Sequence, residues 1–343
     1  RSGPIRVVET TSNRRPREAE SKITPLNFLG EGMRSFWMAC CSLLLVGGSV
    51  FAAEGEPLTL SELRAKYADP AGKIAVIGGV EVYYKDEGKG PAILMVHGSQ
   101  STLKTWDYIA PRLTDRYRVI RYDVPAQGLS GTVTDEHMQR LQPVDIAEGL
   151  LAQLGVDKVT FVGVSSGGTL GVYLAAKRPE MVERLILSNA PADTVTTGHL
   201  PPSAEFQEQQ RIAKETGLRN RNYWSAFLDY FSGDPSRLSA DIREQYYDFN
   251  RRAPEPHLIG LVAKVADQEK AKAAMKAVKA PTLLIWGAKD LLLPVPAGKA
   301  LAGYLSGTDV SMMVMPDVGH YPPLESPERF AKILEAYMEA ATP

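Results

Sequence analysis

The stretch Lys158-Val159-Thr160-Phe161-Val162-Gly163-Val164-Ser165-Ser166-Gly167-Gly168 limits what this chain can fold into more than any other. An apolar, β-branched run of the kind that forms a buried strand leads into Gly-x-Ser-x-Gly. The sequence Thr169-Leu170-Gly171-Val172-Tyr173-Leu174-Ala175-Ala176 then continues with helical character. A strand that turns so sharply into a helix holds its serine in strained backbone geometry, with the hydroxyl exposed at the sheet edge. Glycine is needed at 163 and 167 because a side chain there would collide with the neighbouring strand and helix. The chain is thereby committed to a strand–turn–helix unit with Ser165 at its apex.

A serine hydroxyl is a weak nucleophile until a base takes its proton. The chain has five histidines: His97, His137, His199, His257 and His320. His320 lies in Asp317-Val318-Gly319-His320-Tyr321-Pro322-Pro323, directly after Val310-Ser311-Met312-Met313-Val314-Met315, which reads as a final strand. The loop leaving a strand end is where an open parallel α/β sheet places its chemistry. Upstream, Pro281-Thr282-Leu283-Leu284-Ile285-Trp286-Gly287-Ala288-Lys289-Asp290 is another buried-strand pattern that ends in a Gly turn and a carboxylate. The order Ser165, Asp290, His320 is one of the chain orders in which a nucleophile, an acid and a histidine occur together. Asp193, in Ser188-Asn189-Ala190-Pro191-Ala192-Asp193, is the alternative acid.

With these motifs the chain resembles the α/β-hydrolase superfamily from about Ile74 to the C-terminus. Ala92-Ile93-Leu94-Met95-Val96-His97-Gly98-Ser99 is similar to the family's strand followed by His-Gly. Arg118-Val119-Ile120-Arg121-Tyr122-Asp123-Val124-Pro125-Ala126-Gln127-Gly128-Leu129-Ser130 is similar to its next strand and Asp-x-x-Gly-x-Gly-x-Ser turn, with Ala126 where glycine is usual. The resemblance implies a mainly parallel sheet with helices on both faces and an inserted helical cap. It implies Ser165 as nucleophile, His320 as base and Asp290 as the group that orients the imidazole. The backbone N–H groups of Ser99 and Ser166 would receive the oxyanion, and His97 would shape the oxyanion loop. Trp106 and Trp224 are candidate substrate-binding residues; packing alone is the other reading of each. No metal or organic cofactor is expected, since the sequence has no Gly-rich phosphate loop, no His-Glu-x-x-His and no paired Cys/His spacing.

The strand–helix alternation fits that architecture. A hairpin is expected at 73–77 and 80–85 around Gly78-Gly79, and buried strands at 92–96, 118–122, 158–162, 184–188, 282–286 and 310–315. A lead-in helix at 58–67 has Thr59 or Ser61 as its cap. The gap from Ser188 to Pro281 is too long for a loop. Helices are expected in it at 221–231 and 240–249, so the core spans 53–190 and 281–343 and the cap 191–280.

Hydrophobic and charged contents of 44% and 23% are ordinary for a globular protein, and a net charge of −1 gives no electrostatic case for nucleic acid or an anionic membrane. Residues 33–52 have the form of a secretory signal peptide: Met33-Arg34-Ser35, an apolar stretch, then Val50-Phe51-Ala52, with cleavage expected after Ala52. The segment is too short and wrongly flanked for a stable membrane span. Both cysteines, Cys40 and Cys41, fall inside it, so the exported protein, periplasmic or secreted, is expected to contain no disulfide. The polar, Arg-rich residues 1–32 are read as an upstream extension, with Met33 the true start and a native N-terminus near Ala53. No oligomeric state follows from the sequence.

Substrate class is reached by elimination. A serine at 165 argues against the aspartate nucleophile of dehalogenases and epoxide hydrolases. Ser99-Gln100-Ser101-Thr102 lacks the Gly-Pro-Gly-Ala-like loop usual in carbon–carbon bond hydrolases of this superfamily. A small or medium soluble carboxylic ester or lactone is therefore the expected substrate. A carbon–carbon or amide hydrolase with the same triad, and a non-catalytic ligand-binding protein, are the alternatives.

Overall fold

The computed structural model describes residues 55–253, 257 and 260–340. The expected signal segment and upstream extension lie outside the described residues. Eight strands form one sheet: β1 (Gly72–Ile77), β2 (Val80–Glu87), β3 (Ala92–Val96), β4 (Arg118–Tyr122), β5 (Val159–Val164), β6 (Val182–Ser188), β7 (Thr282–Gly287) and β8 (Val310–Met315). Their order is β1-β2-β4-β3-β5-β6-β7-β8. The two pairs made by β2 are antiparallel, and the other pairs are parallel. The β1–β2 hairpin turns on Gly78 and Gly79, both at positive φ (55° and 89°).

Side chains that alternate along a strand feed two cores. Leu94 and Val96 of β3 point into one, with the helices Pro143–Gln153, Ser166–Lys177, Gln268–Ala277 and Val295–Tyr304. Ile93 and Met95 point into the other, against the helix Pro327–Ala340 and the 106–113 segment. Every residue of β5 and of β7 is buried, as strands covered on both faces require. The lead-in helix is Leu60–Tyr67. It starts at Thr59 with a capping box, Thr59 Oγ1 accepting from Glu62 N while the Glu62 carboxylate accepts from Thr59 N.

The helices Ala204–Thr216, Arg221–Phe231 and Ala240–Asn250 make a separate aromatic cluster of Phe206, Tyr223, Trp224, Phe231 and Tyr247, which Tyr321 and Leu324 join from the loop after β8. This layer therefore rests on the C-terminal end of the sheet. The expected cap reached residue 280, but the helix Gln268–Ala277 buries Ala271 and Met275 in the main core beside the sheet. Its apolar stripe packs on the helix Ser166–Lys177, so it belongs to the core layer although it lies within the stretch expected as cap. Among the described residues, no helix is long and apolar enough to cross a membrane.

Candidate active site

The turn after β5 is built by contact distances. A Cβ at Gly163 would stand 2.5 Å from the carbonyl oxygen of Gly167, and one at Gly167 would stand 2.4 Å from that of His97. Both are far inside van der Waals contact, which is why only glycine serves there. Ser165 takes φ 52° and ψ −127°, a region that side chains rarely adopt. Ser165 N donates to Ser188 O at 2.9 Å, which anchors the strained residue to β6. Ser166 opens the helix Ser166–Lys177, so its N–H points out of the helix N-terminus, where partial positive charge gathers.

The loop after β3 meets this turn. A Cβ on Gly98 would lie 2.9 Å from the Ser165 Cβ, and Ser99 Oγ is 3.0 Å from Ser166 Oγ. Among the described residues neither Ser99 N nor Ser166 N donates to a protein acceptor. Two free amides thus flank the serine, the arrangement an oxyanion needs.

His97 sets the loop from below. Val124 N donates to His97 Nε2 at 2.9 Å, so the ring proton sits on Nδ1 and is donated to Gly98 O at 2.7 Å. A trans peptide points C=O and N–H in opposite directions, so holding Gly98 O fixes the direction of Ser99 N–H. The ring is fully buried, and burial lowers its pKa to about 4. Asp123, 3.9 Å from Nε2, is also buried and its carboxyl is pushed up to about 6 by desolvation, while it accepts from Leu103 N and Leu129 N.

These shifts carry opposite signs in stability. An unfolded His97 would titrate near 6.5, so between about pH 6.5 and 4 the unfolded chain binds the extra proton and His97 lowers stability as pH falls. Asp123, raised from 3.8, binds its proton first in the folded state and adds stability as pH falls below about 6. His97→Asn removes the first contribution and keeps the second. The variant is expected to be less stable than wild type at pH 7, with a deficit that shrinks by about 2 kcal/mol at pH 4.5. Urea unfolding of both proteins at the two pH values measures this; a deficit that stays constant or grows in acid would rule out a neutral buried His97.

The loops after β7 and β8 carry the other two residues and bring them to each other. His320 Nδ1 lies 2.7 Å from Asp290 Oδ2. Asp290 is 2% exposed and all its acceptor positions are used. Leu292 N (2.8 Å) and Leu293 N (3.0 Å) donate to Oδ1; Asn189 Nδ2 (2.5 Å) and His320 donate to Oδ2. Asp193, the alternative acid, is engaged elsewhere, by Tyr304 OH at 3.1 Å and Lys272 Nζ at 2.8 Å. Asn189 had no role in the sequence reading. It sits at φ 45° after β6, and a Ser-Asn pair closing a strand was its only sequence signal. His137 caps a short helix by accepting from Thr134 N, His199 meets Leu291 O, and His257 pairs with Asp135.

Neither tryptophan takes the place expected of it. Trp106 is fully buried against Phe330 (centroids 6.1 Å apart), in the core between the sheet and the helix Pro327–Ala340. Trp224 is packed inside the cap between Tyr223 and Phe227. Both indoles are large enough to serve as packing, and packing is where they lie. A cleft beside the oxyanion loop is lined instead by Gln100, Ser101, Thr105, Tyr246, Phe249 and Leu324. Burial raises the Tyr246 phenol to about 12, so it stands at this cleft as a neutral O–H group.

Sheet order, strained serine, paired amides and the histidine–aspartate contact together define a hydrolase architecture. Residues 91–327 match the family model of the alpha/beta hydrolase fold, and the chain belongs to this family. It is 26% identical over 292 residues to the 2-hydroxymuconate semialdehyde hydrolase of Pseudomonas sp. (strain CF600), covering 79% of this chain and 94% of the relative. It is also 26% identical over 262 residues to a strigolactone esterase of Arabidopsis thaliana, covering 72% and 92%. A solved membrane phospholipase A, a bacterial virulence factor, has the same fold, with a TM-score of 0.62 at 23% identity over 82% of this chain and 90% of that one.

Proposed function

We propose that the chain is a serine hydrolase that cleaves small or medium carboxylic esters or lactones through an acyl-enzyme. Ser165 attacks the acyl carbonyl while His320 Nε2 takes its proton. Asp290 holds Nδ1–H toward itself and stabilises the imidazolium, and the N–H groups of Ser99 and Ser166 receive the oxyanion. The alcohol leaves with the proton from His320, and water, deprotonated by the same ring, then releases the acid. The observation that carries this reading is the 2.7 Å contact from His320 Nδ1 to a carboxylate whose other acceptor positions are filled. Export before folding, with removal of residues 33–52, is part of the same proposal.

The test is turnover of p-nitrophenyl acetate, butyrate and octanoate. For a small or medium substrate, the acetyl and butyryl esters are expected to turn over faster than the octanoyl ester. Similarity to the 2-hydroxymuconate semialdehyde hydrolase supports a second reading, carbon–carbon cleavage by the same residues. Folded protein that leaves all three esters intact while cleaving a vinylogous diketone would put that reading first.

A further inference from the structure

We propose that Glu325 is a positioning residue: it clasps the His320 loop to the cap segment 231–234, so that the cap, together with the sheet, fixes where the base stands. The inference rests on His320 acting as the base.

Four observations support it. Glu325 is 4% exposed, and its carboxylate lies among backbone amides of two separate segments. From the cap it accepts Gly233 N at 2.7 Å and Asp234 N at 3.3 Å. From the residues on either side of His320 it accepts Gly319 N at 3.0 Å and Tyr321 N at 3.3 Å. His320 itself donates its backbone N–H to Phe231 O, the last residue of the cap helix Arg221–Phe231, at 2.8 Å.

The two segments touch backbone to backbone. A Cβ on Gly319 would lie 2.4 Å from Phe231 O and 2.5 Å from Gly233 N, and one on Gly233 would lie 2.6 Å from Gly319 N. Two facing glycines let the loops approach closely enough for one carboxylate to accept from both. Further out, Arg237 of the cap pairs with Asp317 at 2.7 Å, and the Tyr321 side chain is buried in the cap's aromatic cluster. His320 is thus tied to the cap on both sides and through its own amide. The sheet contributes β8 and the Asp290 contact.

A carboxylate is the side chain this site calls for, since it accepts at both oxygens and donates from neither. In Glu325→Gln an NH2 group would face amide donors whichever way the amide is turned. The loops would part there, and a reacting group displaced by about 1 Å loses rate by about 100-fold.

The experiment uses the full chain with p-nitrophenyl butyrate and compares Glu325→Gln, Glu325→Asp, Gly233→Ala, Asn220→Ala and His320→Ala. Glu325→Gln is expected to lower kcat by about 100-fold with KM little changed. Glu325→Asp, which keeps the charge, should recover part of kcat. Gly233→Ala reaches the same clasp from the cap side with the carboxylate intact, and should reproduce the kcat loss even if Glu325→Gln fails to fold. Asn220→Ala removes only the cap helix's N-terminal hydrogen bond to Tyr223 N, so it should lower Tm and leave kcat alone. Wild-type kcat in both clasp variants, beside an inactive His320→Ala, would overturn the clasp and leave the catalytic reading standing. Equal kcat losses in Asn220→Ala and Glu325→Gln would overturn it too, by showing a general effect of cap stability. Wild-type turnover in His320→Ala would remove the catalytic reading and the clasp with it.

Discussion

Ser165→Ala is expected to abolish ester turnover, with a loss in kcat on the order of 10⁶-fold, the scale at which a serine hydrolase falls when its nucleophile is removed. Two hydroxyls remain nearby, those of Ser99 and Ser166, and they are bonded to each other 3.0 Å apart. Neither occupies the apex of the turn, so neither is placed to take over the attack. The fold should survive the change. Alanine at φ 52° carries the same backbone strain as serine, and the main-chain bond from residue 165 to Ser188 O persists. Tm is therefore expected within a degree or two of wild type. Ser165→Gly is the informative companion, because glycine adopts this φ without penalty: it should be equally inactive and more stable than alanine by about 1 kcal/mol. Activity measured with p-nitrophenyl butyrate beside thermal unfolding of all three proteins decides the matter. Retained turnover in a folded Ser165→Ala would remove Ser165 from the chemistry.

The elements that sequence disclosed are those determined locally. Gly163 and Gly167 announce the turn because the clash they avoid is with residues three or four positions away or with the adjoining strand. Gly78-Gly79 and the helix cap at Thr59, one of the two candidates, are local in the same sense, and the eight strands end within two residues of where sequence places them. Ala126 was visible as a departure, and the structure gives its meaning: it sits at φ 66°, fully buried, at a position glycine would fill without strain. What sequence could not disclose depends on distant partners. The choice between Asp290 and Asp193 is made by which loop faces His320. Asn189 reaches its partner across 101 residues. Glu325 looks like an ordinary surface glutamate until Gly233 and Gly319 are seen to converge on it. Trp106 and Trp224 failed as site residues for the opposite reason: a large aromatic side chain reads the same in sequence whether it lines a cleft or fills a core.

Asp290→Asn is expected to cost about 10⁴-fold in kcat with KM little changed, the loss seen when an amide replaces the acid of such a triad. The cause here is that all four incoming bonds are from N–H donors: Leu292 and Leu293 on one oxygen, Asn189 and His320 on the other. An amide must turn its NH2 toward one of these pairs. Turned toward His320, it becomes a donor to Nδ1, which forces the ring proton onto Nε2 and leaves no lone pair to accept the Ser165 proton. Turned the other way, it keeps the ring tautomer but opposes two backbone amides, and the loop carrying residue 290 must shift. Buried donors left without partners cost about 1–3 kcal/mol each, so Tm should also fall, which separates this variant from Ser165→Ala. Asp193→Asn is the control: its partners, Tyr304 and Lys272, lie apart from the histidine, and turnover should be unchanged. Activity kept in Asp290→Asn and lost in Asp193→Asn would transfer the acid's role to Asp193. Loss in Asp290→Asn alone, with the ester still bound at wild-type KM, is what a histidine held in one tautomer by one carboxylate requires.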